Sequence, residues 1–330
     1  MKPFNGVELF KFLETFPNED QCKEYVYDLK FTPDYACSKC NKIGFYKGIK
    51  PYTKVCKNCR HVESATSNTM YDKVKFGLRK ALYIQYDMTT TSAGISAKQI
   101  SKKYDIQYNT AWLFMKKVRD SMQSSEQYPM VDKVSVDEFV IGGYEKGAVG
   151  RSAESKKIKA SIAVEVTPSN KIKRVYAMPF TSYHTEEIRK IFDKHISKDS
   201  KIYTDKSTSY LPLRKEYNIK MDKKYKKNSP ANFQIQQIKS WIRHIHKHVS
   251  ADHIQTYFNE YSFRINRSQS KDSIFHKSVE RMVKAKKKTK ILLSAKKKCM
   301  TRDELVERIK LYRAMNANFK ITGGRVLLVA

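Results

Sequence analysis

The pattern of apolar and polar positions changes along the chain and divides it before any motif is considered. Up to about residue 34 the apolar residues fall in short helical groups: Leu9, Phe10, Phe12 and Leu13, then Cys22, Tyr25, Val26 and Leu29, closed by Pro33. Val74, Leu78, Leu82 and Tyr86 recur at helical spacing over 73–86. In 96–122, Ser96 and Gln99 form a capping box, Ile100 and Tyr104 give a short helix its buried side, and Tyr104-Asp105-Ile106 predicts a turn. Ala111, Trp112, Met115, Val118 and Met122 supply the apolar stripe of the next helix. Two short helices joined by a tight turn predict a helix-turn-helix.

From Lys133 the period becomes two. Strands are expected near 133–141, 157–166 and 171–180, with Pro168-Ser169-Asn170 turning the second hairpin. A helix at 184–196, a strand at 201–205, a helix near 207–217, a short strand near 218–222 and helices at 230–247 and 250–267 follow. The order βββαβα(β)α is that of an RNase-H-like fold, an antiparallel meander joined by a parallel strand, with helices on both faces. In such a sheet the first and fourth strands are neighbours. The lysine-rich tract 284–298 is expected to be a linker, Thr301 with Glu304 to cap a helix through about 315, and 321–330 to form a hairpin around Gly323-Gly324.

Composition adds a partner. The formal net charge is +32, with Lys+Arg 65 against Asp+Glu 33. That excess predicts a polyanion, because each phosphate neutralised releases condensed counterions. No apolar run approaches the roughly 20 residues needed to span a bilayer, and the first residues lack a signal-peptide core. Nucleic acid is therefore preferred to a membrane surface. Lys116, Lys117 and Arg119, taken as exposed positions of the second helix of the pair, are the expected DNA contacts, with Arg243 on a later helix.

Cys37, Cys40, Cys56 and Cys59 form C-x2-C-x15-C-x2-C, a zinc-ribbon spacing. Four thiolates leave no open position, so the Zn²⁺ is structural. Without a secretory signal, a pair of disulfides is the weaker reading. Cys22 and Cys299 are expected to be ordinary thiols. The expected fold class is α+β and multi-domain: a helical segment (1–34), a basic, aromatic zinc ribbon (35–64), a helix-turn-helix region that binds DNA (65–127), an α/β RNase-H-like core (128–283), and a basic linker with an extension (284–330).

Candidate chemistry centres on KVSVDEFVIGGY. Asp137 is a mid-strand carboxylate, costly to bury unless paired or bound to metal. Asp205 closes the strand KIYTD and meets Asp137 if the first and fourth strands are adjacent. Two carboxylates in a strongly basic protein point to metal-assisted chemistry on phosphate. Glu138, by alternation, is expected on the other face in a structural role. His244, His246 and His248 diverge around their helix, which predicts phosphate contact or packing.

Four segments, in order, resemble insertion-sequence DDE transposases of the bacterial group related to Merlin elements: the ribbon with GIKPYTKVCKNC, then SNTMYDKVKFGL, then VDEFVIGG, and IKSWIRHIHKHVSADHIQTYFNEYSFRINR at 238–267. The resemblance covers about residues 1–285. It implies a polynucleotidyl transferase that binds double-stranded DNA, both terminal inverted repeats and target, as a homodimer or higher oligomer in the cytoplasm, at the nucleoid. It implies Asp137 and Asp205 as the first two acidic ligands of catalytic Mg²⁺ or Mn²⁺. Lys239 matches the family's basic residue seven positions after the third site residue, which makes that residue Asn232, with Gln236 and Gln237 as the alternatives. The non-acidic third position and the unfamiliar tail support a rival reading, a DNA-binding descendant that has lost cleavage. A resolvase-like or repair nuclease is a third.

Overall fold

The computed structural model describes residues 3–143, 155, 157–222 and 229–286, and the backbone of 319–322 and 325–328. Helices α1 (Leu9–Thr15) and α2 (Glu19–Lys30) open the chain, and the Asn18 side chain caps α2 by accepting from the Asp20 and Gln21 amides. Strands β1 (Phe45–Lys47), β2 (Thr53–Cys56) and β3 (Val62–Ser64) form a small antiparallel sheet. Helix α3 (Leu78–Thr90) starts later than its apolar spacing predicts. The Glu19 carboxylate accepts from the Leu78 and Arg79 amides, and Gly77 at φ 88° turns the chain into the helix. A cap supplied from α2 sets that boundary, and no local pattern carries it. The capping box of α4 (Ala97–Tyr104) is present, Asp105 takes the left-handed turn, and α5 (Tyr108–Ser121) follows.

The second half is built on a five-stranded sheet. Strands β4 (Lys133–Ile141), β5 (Ile158–Val166) and β6 (Ile172–Phe180) form an antiparallel meander, followed by α6 (Thr185–His195), β7 (Lys201–Thr204) and β8 (Ile219–Met221). The order is β6-β5-β4-β7-β8, with β4 and β7 parallel and β7 and β8 parallel. The adjacency of first and fourth strands expected from the sequence is therefore observed. The helix expected at 207–217 is instead two 3₁₀ turns, Thr208–Tyr210 and Pro212–Lys215, because Pro212 has no amide to donate into a continuous helix. Helix α7 (Pro230–Trp241) runs into a π-helical turn, Ile242–His246, so the expected helix to 247 changes pitch at its end. Helices α8 (Ile254–Ile265) and α9 (Ile274–Lys284) complete this part. Val134 and Val136 pack with Ile188, Ile191 and Phe192 of α6 on one face of the sheet. On the other, Phe139 and Ile162 pack with Ile235, Ile238 and Phe258 of α7 and α8.

Helix α9 falls in the expected core segment 128–283 up to its last residue and packs elsewhere. Phe275, Val279 and Met282 bury themselves among Phe4, Phe12, Phe16 and Leu82, in the cluster of the N-terminal helices. The lysine tract begins inside this helix, at Lys284. Positions 287–298 of that tract, the helix expected through 315 and Cys299 lie outside the described residues. Strands β9 (Phe319–Thr322) and β10 (Arg325–Leu328) pair antiparallel on either side of positions 323–324, as a hairpin there requires. Among the described residues, no helix is long and apolar enough to cross a membrane.

One ion pair joins α5 to α8. Arg119 and Glu260 are 1% and 0% exposed, their Nε and Oε2 atoms are 2.6 Å apart, and the guanidinium lies 4.3 Å from the Tyr257 ring centroid. Removing one partner leaves the other charge buried, a loss of about 3–5 kcal/mol. Glu260→Ala should lower the urea midpoint accordingly. Arg119→Met combined with Glu260→Leu should recover most of the loss, and the pair lacks this role if the single variant melts like wild type.

Candidate active site and metal centre

The acidic site follows from strand register. In the parallel pair, Lys133 is level with Lys201, Val134 with Ile202 and Ser135 with Tyr203. Continuing two positions brings Asp137 level with Asp205, which directly follows the last residue of β7. Asp137 is 5% exposed, and one carboxylate oxygen each from Asp137, Glu138 and Asp205 lie within 4.8 Å of one another. Two local hydrogen bonds hold the aspartates: the Glu138 amide donates to Asp137 at 2.8 Å and the Ser207 amide to Asp205 at 3.0 Å.

Glu138 corrects an expectation. Alternation does set its backbone on the side of Val134 and Val136, yet its carboxylate joins the cluster instead of standing apart from it. Its neighbour is Tyr210 from the first 3₁₀ turn. The Tyr210 phenol is fully buried, which raises its pKa well above the usual tyrosine value, and the nearby Glu138, Asp137 and Asp205 raise it further. Tyr210 carries no sequence signal, since it becomes a neighbour only when the turn folds under the sheet.

Helix α7 is pinned beside β4. The Ala231 amide donates to Ser135 Oγ at 3.3 Å, two residues before Asp137 on the same face of the strand, and Ser229 Oγ caps the helix through the Asn232 amide at 3.0 Å. Asn232 and Lys239 are both half-buried, whereas Gln236 and Gln237 are exposed. Lys239 Nζ lies 5.8 Å from the Phe139 ring centroid. Burial lowers the Lys239 pKa, and Asp137 opposes that by favouring the charged ammonium. Arg243, one turn further, is exposed. His246 instead packs between Trp241 and Tyr257, and burial pushes its pKa down to about 2.

The ribbon has two equivalent turns. Asn41, after Cys40, and Arg60, after Cys59, adopt φ 57° and 58°, and their amides donate back to the carbonyls of Cys37 and Cys56. This brings all four Sγ atoms within 4.8 Å of one another, with Cys37 and Cys59 3.7 Å apart and Cys40 and Cys56 3.6 Å apart. The set could hold zinc. Carboxylate oxygens at the other cluster suit a hard divalent cation instead. Buried Glu63 ties the ribbon to α2, through Lys30 Nζ at 3.0 Å, Tyr35 Oη at 2.7 Å and the Ser38 amide at 2.9 Å. Burial alone would raise its pKa, but these donors hold it at about 2. Cys22, an ordinary core thiol, is pushed up to about 12 by burial.

The three cations expected to be exposed on α5 are not. Arg119 is in the buried pair with Glu260, Lys116 is 8% exposed and lies 3.7 Å from Asp120, and Lys117 donates to the Met70 and Asp72 carbonyls at 3.0 and 3.2 Å. Helix α5 packs on α8 as well as on α9, so its polar flank is consumed by tertiary contact. The exposed residues of the pair lie at the other end: Lys98 and Lys102 on α4, and Tyr108, Asn109 and Thr110 in the first turn of α5.

The antiparallel meander is extended by parallel strands, and the acids gathered where β4 meets the end of β7 could hold a divalent cation. Residues 129–266, under half of the chain, match the model of the ISXO2-like transposase domain. Over this segment the resemblance to insertion-sequence transposases is borne out; transposases of that kind act on DNA by polynucleotidyl transfer. No curated protein matches the chain.

Purified under reducing conditions, the protein should contain one zinc per chain. Structural zinc of this kind supplies about 10–16 kcal/mol of apparent binding energy. Chelation or Cys40→Ser should therefore unfold 35–64 and leave the five-stranded sheet intact, followed by metal analysis and hydrogen exchange. Absence of stoichiometric zinc would rule the site out.

Proposed function

We propose that the protein is a DNA transposase that binds the terminal inverted repeats of its element and performs metal-dependent cleavage and strand transfer from an RNase-H-like core. The observation that carries this reading is the alignment of Asp137 with Asp205 across the parallel pair, inside a transposase domain. Asp137 and Asp205 would hold Mg²⁺ or Mn²⁺, supplying the formal charge that such cations require. Held there, such cations would supply charge stabilisation for an in-line phosphoryl transfer. Asn232 offers a neutral oxygen at the first turn of α7 and cannot serve as a base. Lys239, half-buried and polarised by Asp137, holds a phosphate beside the scissile bond, and exposed Arg243 extends that contact. Hydrolysis at the element end leaves a 3′-OH, which attacks a phosphodiester of the target strand and displaces that strand's 3′-oxygen as the leaving alcohol, while the protein acts as a dimer or larger assembly on DNA.

For the helix-turn-helix, the N-terminal residues of the second helix reach base edges in the major groove. Tyr108, Asn109 and Thr110 supply that surface here, with Lys98 and Lys102 on phosphates, in place of Lys116, Lys117 and Arg119. The neutral Asn232 also favours a second reading, a binding protein that no longer cuts.

Asp137→Ala and Asp205→Ala should abolish Mg²⁺- or Mn²⁺-dependent cleavage of a labelled element end and leave its gel shift unchanged. Asn232→Ala should slow cleavage less than either. Full cleavage by the Asp137→Ala protein overturns the site assignment, and tight binding by wild type without any cutting favours the second reading. Asn109→Ala should cost about 1–3 kcal/mol in affinity for the element end and relax its sequence preference, with little effect on a scrambled duplex.

A further inference from the structure

The ribbon carries cations that nothing within the described residues neutralises. Every charged side chain between Tyr35 and Val62 is a lysine or arginine. Lys39, Lys42, Lys47, Lys50, Lys57 and Arg60 are all exposed, and among the described residues no ion pair engages them. Three surface cations of the sheet domain are paired instead: Lys173 with Asp132, Arg189 with Glu216 and Lys194 with Glu126. Four thiolates around Zn²⁺ leave a net negative charge at the ribbon's centre, but it is smaller than the charge these cations carry.

Two of them are organised. Tyr46 is 51% exposed on β1, and both Lys57 and Arg60 lie against its ring, at 5.1 and 5.6 Å from the centroid. Lys57 is anchored by its amide to the Gly44 carbonyl at 3.1 Å, and Arg60 sits in the left-handed turn that follows Cys59. The turn that gathers the cysteines therefore also presents these charges. A preordered pair of cations loses less freedom on meeting phosphate than two free side chains would.

We propose that this face of the ribbon is a phosphate-backbone clamp, a second DNA surface separate from the helix-turn-helix and without sequence preference of its own. The proposal rests on DNA being the substrate of the core and deepens that reading by dividing the work. The helix-turn-helix selects the site, and the ribbon adds salt-sensitive, sequence-independent affinity. Five of the six exposed cations are lysines, which bind phosphate as point charges.

The test measures fluorescence anisotropy of the full chain with an element-end duplex and a scrambled duplex, across a potassium chloride series. The variant Lys47→Gln/Lys57→Gln/Arg60→Gln should weaken binding to both duplexes by the same factor. Its log K against log salt slope should be shallower by about 0.9 for each phosphate that is no longer neutralised, so by about 2–3 in all. Zinc content equal to wild type shows that the ribbon is folded. If the triple variant loses zinc, Lys39→Gln/Lys42→Gln at the other turn is used and should reduce the slope by about 1–2. An unchanged slope in a zinc-replete variant overturns the clamp, as does a loss confined to the element end. Binding of wild type, but not the variant, to anionic phospholipid vesicles with unchanged DNA binding would assign the patch to membranes and also overturn it. These failures leave cleavage by wild type intact, whereas failure of the transposase reading would appear as binding without cleavage.

Discussion

The parallel pairing of β4 with β7 is the constraint on which the site depends. It aligns two aspartates that are remote in sequence and sets them where the short strand ends. Everything around the site serves that pairing. Helix α6 and the Tyr210 turn cover one face, α7 covers the other, and the Ser135 hydroxyl ties the start of α7 to β4. Gathering Asp137, Glu138 and Asp205 within 4.8 Å is unfavourable for carboxylates alone, because like charges in a partly dry setting repel. The surrounding core supplies the rigidity that keeps them together, and a divalent cation bound there would relieve the repulsion. The same arrangement that costs stability prepares a site for cations.

The helical region and the sheet are joined through helices that each serve both. Helix α5 belongs to the helix-turn-helix, yet its far end is locked to α8 by the Arg119–Glu260 pair. Helix α8 covers the sheet with Phe258 and contributes Phe263 to the helical cluster, while α9 returns to pack on Phe4, Phe12 and Phe16. A polar, ionic contact at such a junction is costly to break singly, which favours one register between the two parts. In the proposed function that rigidity fixes the distance from the bound element end to the scissile phosphate.

The charge excess is not spread evenly in its use. Cations on α5 and α9 that seem free in the sequence are engaged with carboxylates or backbone carbonyls. Lys116 faces Asp120, Arg281 donates to the Met122 and Gln123 carbonyls, and Lys284 pairs with Glu280. Exposed cations without an ion pair among the described residues stand on the ribbon and the outer side of α4, and also on the sheet domain at Lys201, Lys206 and Lys220, so net charge alone does not locate the surface open to phosphate.

The sequence by itself determined what depends on neighbours a few positions away. The CxxC turns, the Ser96–Gln99 box, the period-two strands and their order, and the apolar stripes of α4 and α5 all follow from contacts within one turn or one hairpin. Strand order also foretold the meeting of Asp137 and Asp205, because few topologies fit such a run of elements. Tertiary structure decided the rest. The start of α3 waits on the Glu19 carboxylate from α2. The 207–217 segment yields to Pro212, and Glu138 enters the acidic cluster although alternation assigns it elsewhere. The free end of the helix-turn-helix was decided in the same way, since the polar flank of α5 is buried by Glu260, 141 residues downstream. Periodicity reports which side of an element is apolar. Whether its polar side meets water or another element depends on chain that arrives from far away, and only the folded packing specifies that.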